Sequence, residues 1–217
     1  MRRKKFIYLL LATLLTAVFL SGCTDKDSRE DPEEICEEKP VIYLYPEEVT
    51  DVTVQLDYDG ELTCTYPAYN NGWHVTAYPD GTLFNHSDEK EYTTLFWEGV
   101  HRTDYDLSEG FVIAGKDTAD FLDEKLAYLG LNVKERNEFI MYWLPRMQDN
   151  PYNLITFQGD AYTDSAHLEI SPQPDTILRV FMAFQRLDTK IDVKEQTLTP
   201  TSRNGFTVVE WGGCEIK

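Results

Sequence analysis

The chain has 217 residues, 42% of them hydrophobic, and carries 38 Asp and Glu against 20 Lys and Arg, a net charge of −18. That acid excess excludes nucleic acid as a partner, because a phosphate backbone is bound by clustered Lys and Arg. It also repels anionic lipid and wall polymers. The length suffices for one sizeable core.

Met1-Arg2-Arg3-Lys4-Lys5, then an apolar stretch from Phe6 to Leu20, then Leu20-Ser21-Gly22-Cys23 has the layout of a bacterial secretory signal. Small residues before a cysteine resemble the lipobox of bacterial lipoproteins, in which the thiol is diacylated and the peptide is cut just before it. The apolar stretch falls short of the roughly 20 residues a spanning helix needs. The expectation is a signal peptide over residues 1–22 and a protein lipid-anchored to the outside of the bacterial cell membrane through Cys23, two acyl chains giving stable attachment. Loss of four basic residues on cleavage leaves 16 Lys and Arg against 38 acids, a net charge of −22. Residues 23–38 are acidic and nearly devoid of apolar side chains, a composition read as a flexible tether. Residues 39–217 are then a single β-rich domain.

That domain opens with Lys39-Pro40-Val41-Ile42-Tyr43-Leu44-Tyr45-Pro46, apolar on nearly every position and therefore expected as an inner strand covered on both faces. Its prolines should limit pairing to Val41 through Tyr45. Val52, Val54, Leu56 and Tyr58 alternate with polar residues, Asp59-Gly60 reads as a two-residue hairpin turn, and Leu62, Cys64 and Tyr66 resume the alternation. Shorter strands follow over Trp73 to Tyr78, Thr82 to Phe84, Tyr92 to Trp97 and Phe111 to Ala114, which predicts an antiparallel meander in a sandwich-like sheet.

The period then changes to 3.6 over about residues 117–147. Asp117 is the expected cap of a first helix, with Phe121, Leu122, Leu126 and Leu129 as its stripe and Gly130 as its stop. Asn132 and Glu135 have capping-box spacing for a second helix, with Phe139, Ile140, Trp143, Leu144 and Met147 buried and Pro145 kinking or ending it. Beyond Asn150-Pro151, strand character returns over Tyr152 to Phe157, Leu168 to Ile170, Ile177 to Phe184 and Phe206 to Trp211. The fold class is thus α+β and β-dominated, antiparallel sandwich-like sheets with one inserted helical hairpin.

Outside Cys23 there are three cysteines, an odd number for an oxidising compartment. Cys36 and Cys214 flank the domain and are the expected disulfide, because domain termini often lie close together. Cys64 is expected to be reduced and buried. No Cys-x-x-Cys or His-x-x-x-His spacing occurs, so neither metal nor cofactor is expected.

Lys39 to Pro46, Leu95-Phe96-Trp97-Glu98-Gly99, Phe139 to Pro145, Pro172-Gln173-Pro174-Asp175 and Arg179-Val180-Phe181, in that order, resemble an uncharacterised family of extracytoplasmic bacterial and fungal proteins whose domains open with a Lys-Pro-x-Ile-Tyr-Leu-Tyr-Pro strand. The resemblance spans Lys39 to Trp211 and brings no activity with it. Function therefore has to be read from composition. With 13 Tyr, 11 Phe and 4 Trp, glycan binding is one reading, with Tyr69, Trp73 and Tyr78 as a stacking platform near turns. A glycan-acting hydrolase is the alternative, using Glu98 with His101, Asp104 and Asp106 downstream. A surface domain that binds a protein or serves structurally is the third. Arg136 starts on the apolar face of the second helix, and Glu98 is its expected partner, either tying the hairpin to the sheet or bordering a pocket.

Overall fold

The structure, a computed structural model, describes residues 35–101 and 105–217. The stretch read as a signal peptide, Cys23 and most of the stretch read as a tether lie outside them. The first two strands already show the plan of the fold: β1 (Ile35–Tyr45) is followed by β2 (Thr50–Tyr58), and the two enter different sheets. The remaining strands are β3 (Glu61–Tyr66), β4 (Trp73–Ala77), β5 (Leu83–Asn85), β6 (Lys90–Tyr92), β7 (Leu95–His101), β8 (Phe111–Ala114), β9 (Tyr152–Gln158), β10 (Ala166–Ser171), β11 (Thr176–Leu187) and β12 (Thr207–Ile216). The helices are α1 (Thr118–Leu129), α2 (Val133–Met147) and the short α3 (Asp160–Ser165).

One sheet has seven strands in the order β3-β7-β1-β12-β11-β9-β8, the other five in the order β10-β2-β4-β5-β6. Among the described residues every ladder is antiparallel except β11 with β12. Alternation along β1 sends Ile42 and Leu44 into a core between the sheets, with Val54, Trp73, Leu95, Trp97 and Phe181. It sends Val41 and Tyr43 into a second core under α1 and α2, with Leu126, Phe139, Trp143 and Trp211. The expectation of an inner strand covered on both faces holds, and the β-dominated α+β class with it.

Two details differ from expectation. β1 begins at Ile35, four residues inside the stretch read as tether, because Pro40 sits where the ladders to β7 and β12 shift register and is carried by that bulge. And Asp59-Gly60 does not close a hairpin. β2 pairs with β10 and β4 while β3 pairs with β7, so the turn carries the chain from one sheet to the other. A turn signal specifies reversal of direction, and the pairing partner is set by burial further along the chain.

The helical hairpin is where expected. The Asn132 side chain accepts from Glu135 N, and the Glu135 carboxylate accepts from Asn132 N at 2.8 Å, a complete capping box. Gly130 ends α1 with φ 111°, and a Cβ there would lie 2.6 Å from the Thr201 carbonyl, so glycine is required on both counts. Asp117 makes no side-chain cap, because a 3-10 turn over Gly115–Asp117 leads into α1 instead. Pro145 lies inside α2 two residues before its end. The helix bond it forgoes is the one to the Met141 carbonyl, and Met141 is exposed.

The parallel pair β11 and β12 requires a crossover, here the irregular segment 188–206 on the helical side. Thr201 N donates to Leu129 O, and the Gln196 amide exchanges two hydrogen bonds with the Phe157 backbone, extending the sheet beyond the end of β8. Arg203 makes a two-pronged contact with the fully buried carboxylate of Glu135, at 2.9 and 3.1 Å. The strap is thereby fixed to the start of α2.

Candidate functional site

Where α2 passes over β1 and the middle of β12, the second core is left open at one side. The opening is a groove of about 410 Å³ lined by Lys39, Val41, Tyr43, Thr93, Thr94, Glu138, Met141, Tyr142 and Trp211. Its floor is sheet and its wall is helix. Tyr43 and Trp211 are buried at the bottom, while Met141 at the mouth is 68% exposed.

Hydrogen bonds hold the groove in one shape. Trp211 Nε1 donates to Tyr43 Oη at 3.2 Å, and Tyr43 in turn donates to Glu138 of α2, joining strand to helix. Tyr142 donates to Glu38 Oε2 at 2.9 Å, and Arg146 ion-pairs with the same carboxylate at 3.3 Å while its guanidinium stacks 4.1 Å from the Tyr142 ring. Burial, reinforced by the bond to Glu138, pushes the Tyr43 phenol well above its ordinary range; burial and Glu38 do the same to Tyr142. Both phenols stay protonated donors.

Lys39 projects differently. It sits at the β1 bulge with φ 59°, a backbone region that costs a non-glycine residue energy, and the bulge re-aims its side chain. Its Nζ lies 5.2 Å from the Phe96 ring centroid and 5.8 Å from that of Tyr142. Among the described residues no carboxylate stands within ion-pairing distance of it. Glu98 reaches only its backbone, accepting from Lys39 N at 3.4 Å.

The residues chosen from sequence are distributed otherwise. Arg136 does not meet Glu98. Its Nε lies 2.9 Å from Asp123 Oδ1 on α1, and its Nη1 donates to Leu131 O at 3.3 Å, so it clips the two helices together. The buried charge of α2 is its neighbour Glu135, since one residue turns the helix by about 100° and exchanges the core-facing position. The glycan platform does not exist as a surface. Trp73 is 1% exposed with its Nε1 donating to Pro67 O at 2.9 Å, and Tyr69 is half-buried edge-on to it with its hydroxyl on the Leu56 backbone. Tyr78 is left alone at the surface. Glu98 and His101 point to opposite faces of β7, Glu98 toward the helices and His101 toward the inter-sheet core. Asp106 caps Ser108 N in an exposed turn, and Asp104 lies outside the described residues.

Cys64 is a free thiol and is exposed, contrary to expectation, because β3 is the edge strand of its sheet rather than the inner arm of a hairpin. Cys214 is fully buried in β12, beside β1, which carries Cys36; the Cys36 side chain is outside the described ones.

Sequence reasoning missed a second buried pair. On the inter-sheet face, Arg179 Nε lies 2.6 Å from Glu210 Oε2, and Trp97 Nε1 donates to Glu210 Oε1 at 3.1 Å. Glu210 is 0% exposed. The Arg179 guanidinium also lies 4.6 Å from the Tyr162 ring. The signal was in plain view: one charge in each of two apolar strand runs, at Arg179 and Glu210, in positions the parallel register places side by side. The neighbouring Gly99 has its own reason. A Cβ there would lie 2.4 Å from the Tyr58 ring, which packs edge-on against Trp97.

No family model and no solved structure matches the chain. An uncharacterised protein in the bglA 3' region of Butyrivibrio fibrisolvens is 35% identical to it over 102 residues, which are 46% of this chain and 99% of that relative. Nearly the whole of the relative is thus contained within the chain, and the two belong to one family.

Proposed function

We propose that the protein is an extracytoplasmic lipoprotein, anchored to the cell membrane through acylated Cys23, whose domain binds a glycan in the groove between β1 and α2. The address rests on the basic start, short apolar stretch and lipobox-like Leu20-Ser21-Gly22-Cys23. The groove carries the binding reading. It offers an aromatic and aliphatic surface in Tyr142, Val41 and Met141, hydroxyls in Thr93 and Thr94, and a carboxylate in Glu138, a combination that suits a sugar ring with its apolar face and polar rim. Its size lies within the roughly 300–1,000 Å³ typical of small-ligand sites. The opposite orientations of Glu98 and His101 favour binding over hydrolysis. A Cys36 to Cys214 bridge would close the domain end to end, and non-reducing peptide mapping tests it.

Two measurements test the proposal. Cys23→Ala should leave the membrane fraction and lose its lipid mass; retention in the membrane with unchanged mobility would overturn the anchor. The detergent-solubilised full-length protein should show a saturable rise in melting temperature with soluble glycans or wall fragments, since a ligand that binds only the folded state stabilises it by mass action. Silence across the panel, with a protein partner recovered instead, would replace the glycan reading.

A further inference from the structure

We infer that the ligand of this groove is a saccharide bearing a single carboxylate, and that Lys39 receives the carboxylate. The inference rests on the groove being the glycan site and adds the charge of the ligand. Three observations converge on it. Lys39 is held at the groove wall by a bulge and a left-handed backbone, an arrangement that costs stability and aims one side chain. In a chain with 38 acidic residues, its ammonium faces the groove with aromatic rings on two sides and, among the described residues, no carboxylate within ion-pairing distance. The acids around the groove accept hydrogen bonds from other groups than the Lys39 ammonium. Glu38 takes Arg146 and Tyr142, Glu138 takes Tyr43, and Glu98 takes the Lys39 backbone.

Lys39 therefore presents an ammonium without an ion-pair partner, flanked by low-dielectric ring surface that strengthens its attraction for an anion. A free inorganic anion would fill little of a 410 Å³ groove, whereas a pyranose carrying a carboxylate also meets Thr93, Thr94 and the Tyr142 ring. The rest of the protein limits the ligand to one charge near the site, because the net charge of −18 repels a polyanion. A terminal uronic acid and the lactyl carboxylate of a muramyl wall fragment share this chemistry.

The test is isothermal titration of the full-length protein in detergent with three probes: a disaccharide ending in glucuronate, its methyl ester, and the disaccharide of N-acetylglucosamine and N-acetylmuramic acid. At least one acid should bind about 10- to 100-fold more tightly than the ester, the range a charge-assisted contact supplies. Which acid does so identifies the source. Lys39→Met should erase the preference for acid over ester while keeping the melting temperature within a few degrees; Lys39→Arg should retain it. Equal binding of acid and ester, or a preference that survives Lys39→Met, overturns the inference and leaves glycan binding standing. No binding of any probe overturns the inference as well, and takes the glycan reading with it only where the neutral panel is also silent.

Discussion

On the face of the seven-stranded sheet that meets the five-stranded sheet, Glu210 is 0% exposed and each of its carboxylate oxygens has a donor, Arg179 on one and Trp97 on the other. On the face under the helices, Lys39 stands at an open groove with rings beside it and no carboxylate on its ammonium. The same sheet thus carries a charge in a sealed place, where it must be matched, and a charge at an opening, where water or a ligand can match it. The cost of an unmatched ion explains the difference. In a dry core it is several kcal/mol, and at a wet rim it is small.

Breaking the sealed pair should have the largest effect. Arg179→Met leaves the Glu210 carboxylate buried with Trp97 alone, and should lower unfolding free energy by about 3–5 kcal/mol in denaturant melts. Adding Glu210→Leu should restore much of the loss, because a buried pair replaced by apolar side chains is often neutral. Lys39→Met on the open face should cost less than about 1 kcal/mol. Comparable losses on the two faces would mean that the inter-sheet core is wetter than its burial implies.

The link between the strap and α2 comes next. Glu135 is fully buried, yet it retains its Asn132 bonds when Arg203 is removed, and the Arg203 side chain is 25% exposed. Arg203→Ala should therefore cost about 2 kcal/mol, less than Arg179→Met, with hydrogen exchange speeding up across 188–206 and the first turn of α2. Uniform acceleration through the whole domain would show instead that strap and core unfold as one unit.

What the sequence disclosed follows the range of the interactions that carry it. The helical hairpin was legible because period, capping box and terminal glycine are local, and β1 was legible because a strand covered on both faces has no polar alternation. Asp59-Gly60 was legible as a turn, but the separation of β2 and β3 into two sheets depends on partners as distant as β7 and β10. The site was misplaced for similar reasons. Trp73 near turns looks accessible in one dimension, whereas its indole is sealed by Pro67 and Tyr69. Arg136 and Glu135 differ by one helical position, a step that periodicity alone does not resolve. The two stretches that meet at the groove, Lys39 to Pro46 and Phe139 to Pro145, are both distinctive in sequence, and only the tertiary structure shows that Lys39 and Tyr142 face one opening.

The smallest effect tests whether the sealed face refuses a new charge as firmly as it holds an old one. His101 is 3% exposed on the inter-sheet side, with the Tyr58 and Tyr105 rings 6.4 and 5.3 Å from its own. Burial holds its imidazole below the ordinary value, with the charge of Asp59 pulling it part of the way back. Between the ordinary value, near 6.5, and the lower folded one, the unfolded chain binds a proton that the folded chain does not. Stability should therefore be flat above that value and decline as pH falls through the window. Asp80, Asp88 and Asp106, held below the carboxylate range by local hydrogen bonds, lose their partners only at more acid pH, so the two declines separate. Denaturant melts of the wild type from pH 7.5 to 5 should show the first decline, and His101→Gln should abolish it. A slope that persists in His101→Gln would show that the inter-sheet core admits the proton, and that its intolerance of charge is particular to Glu210 rather than general to that face.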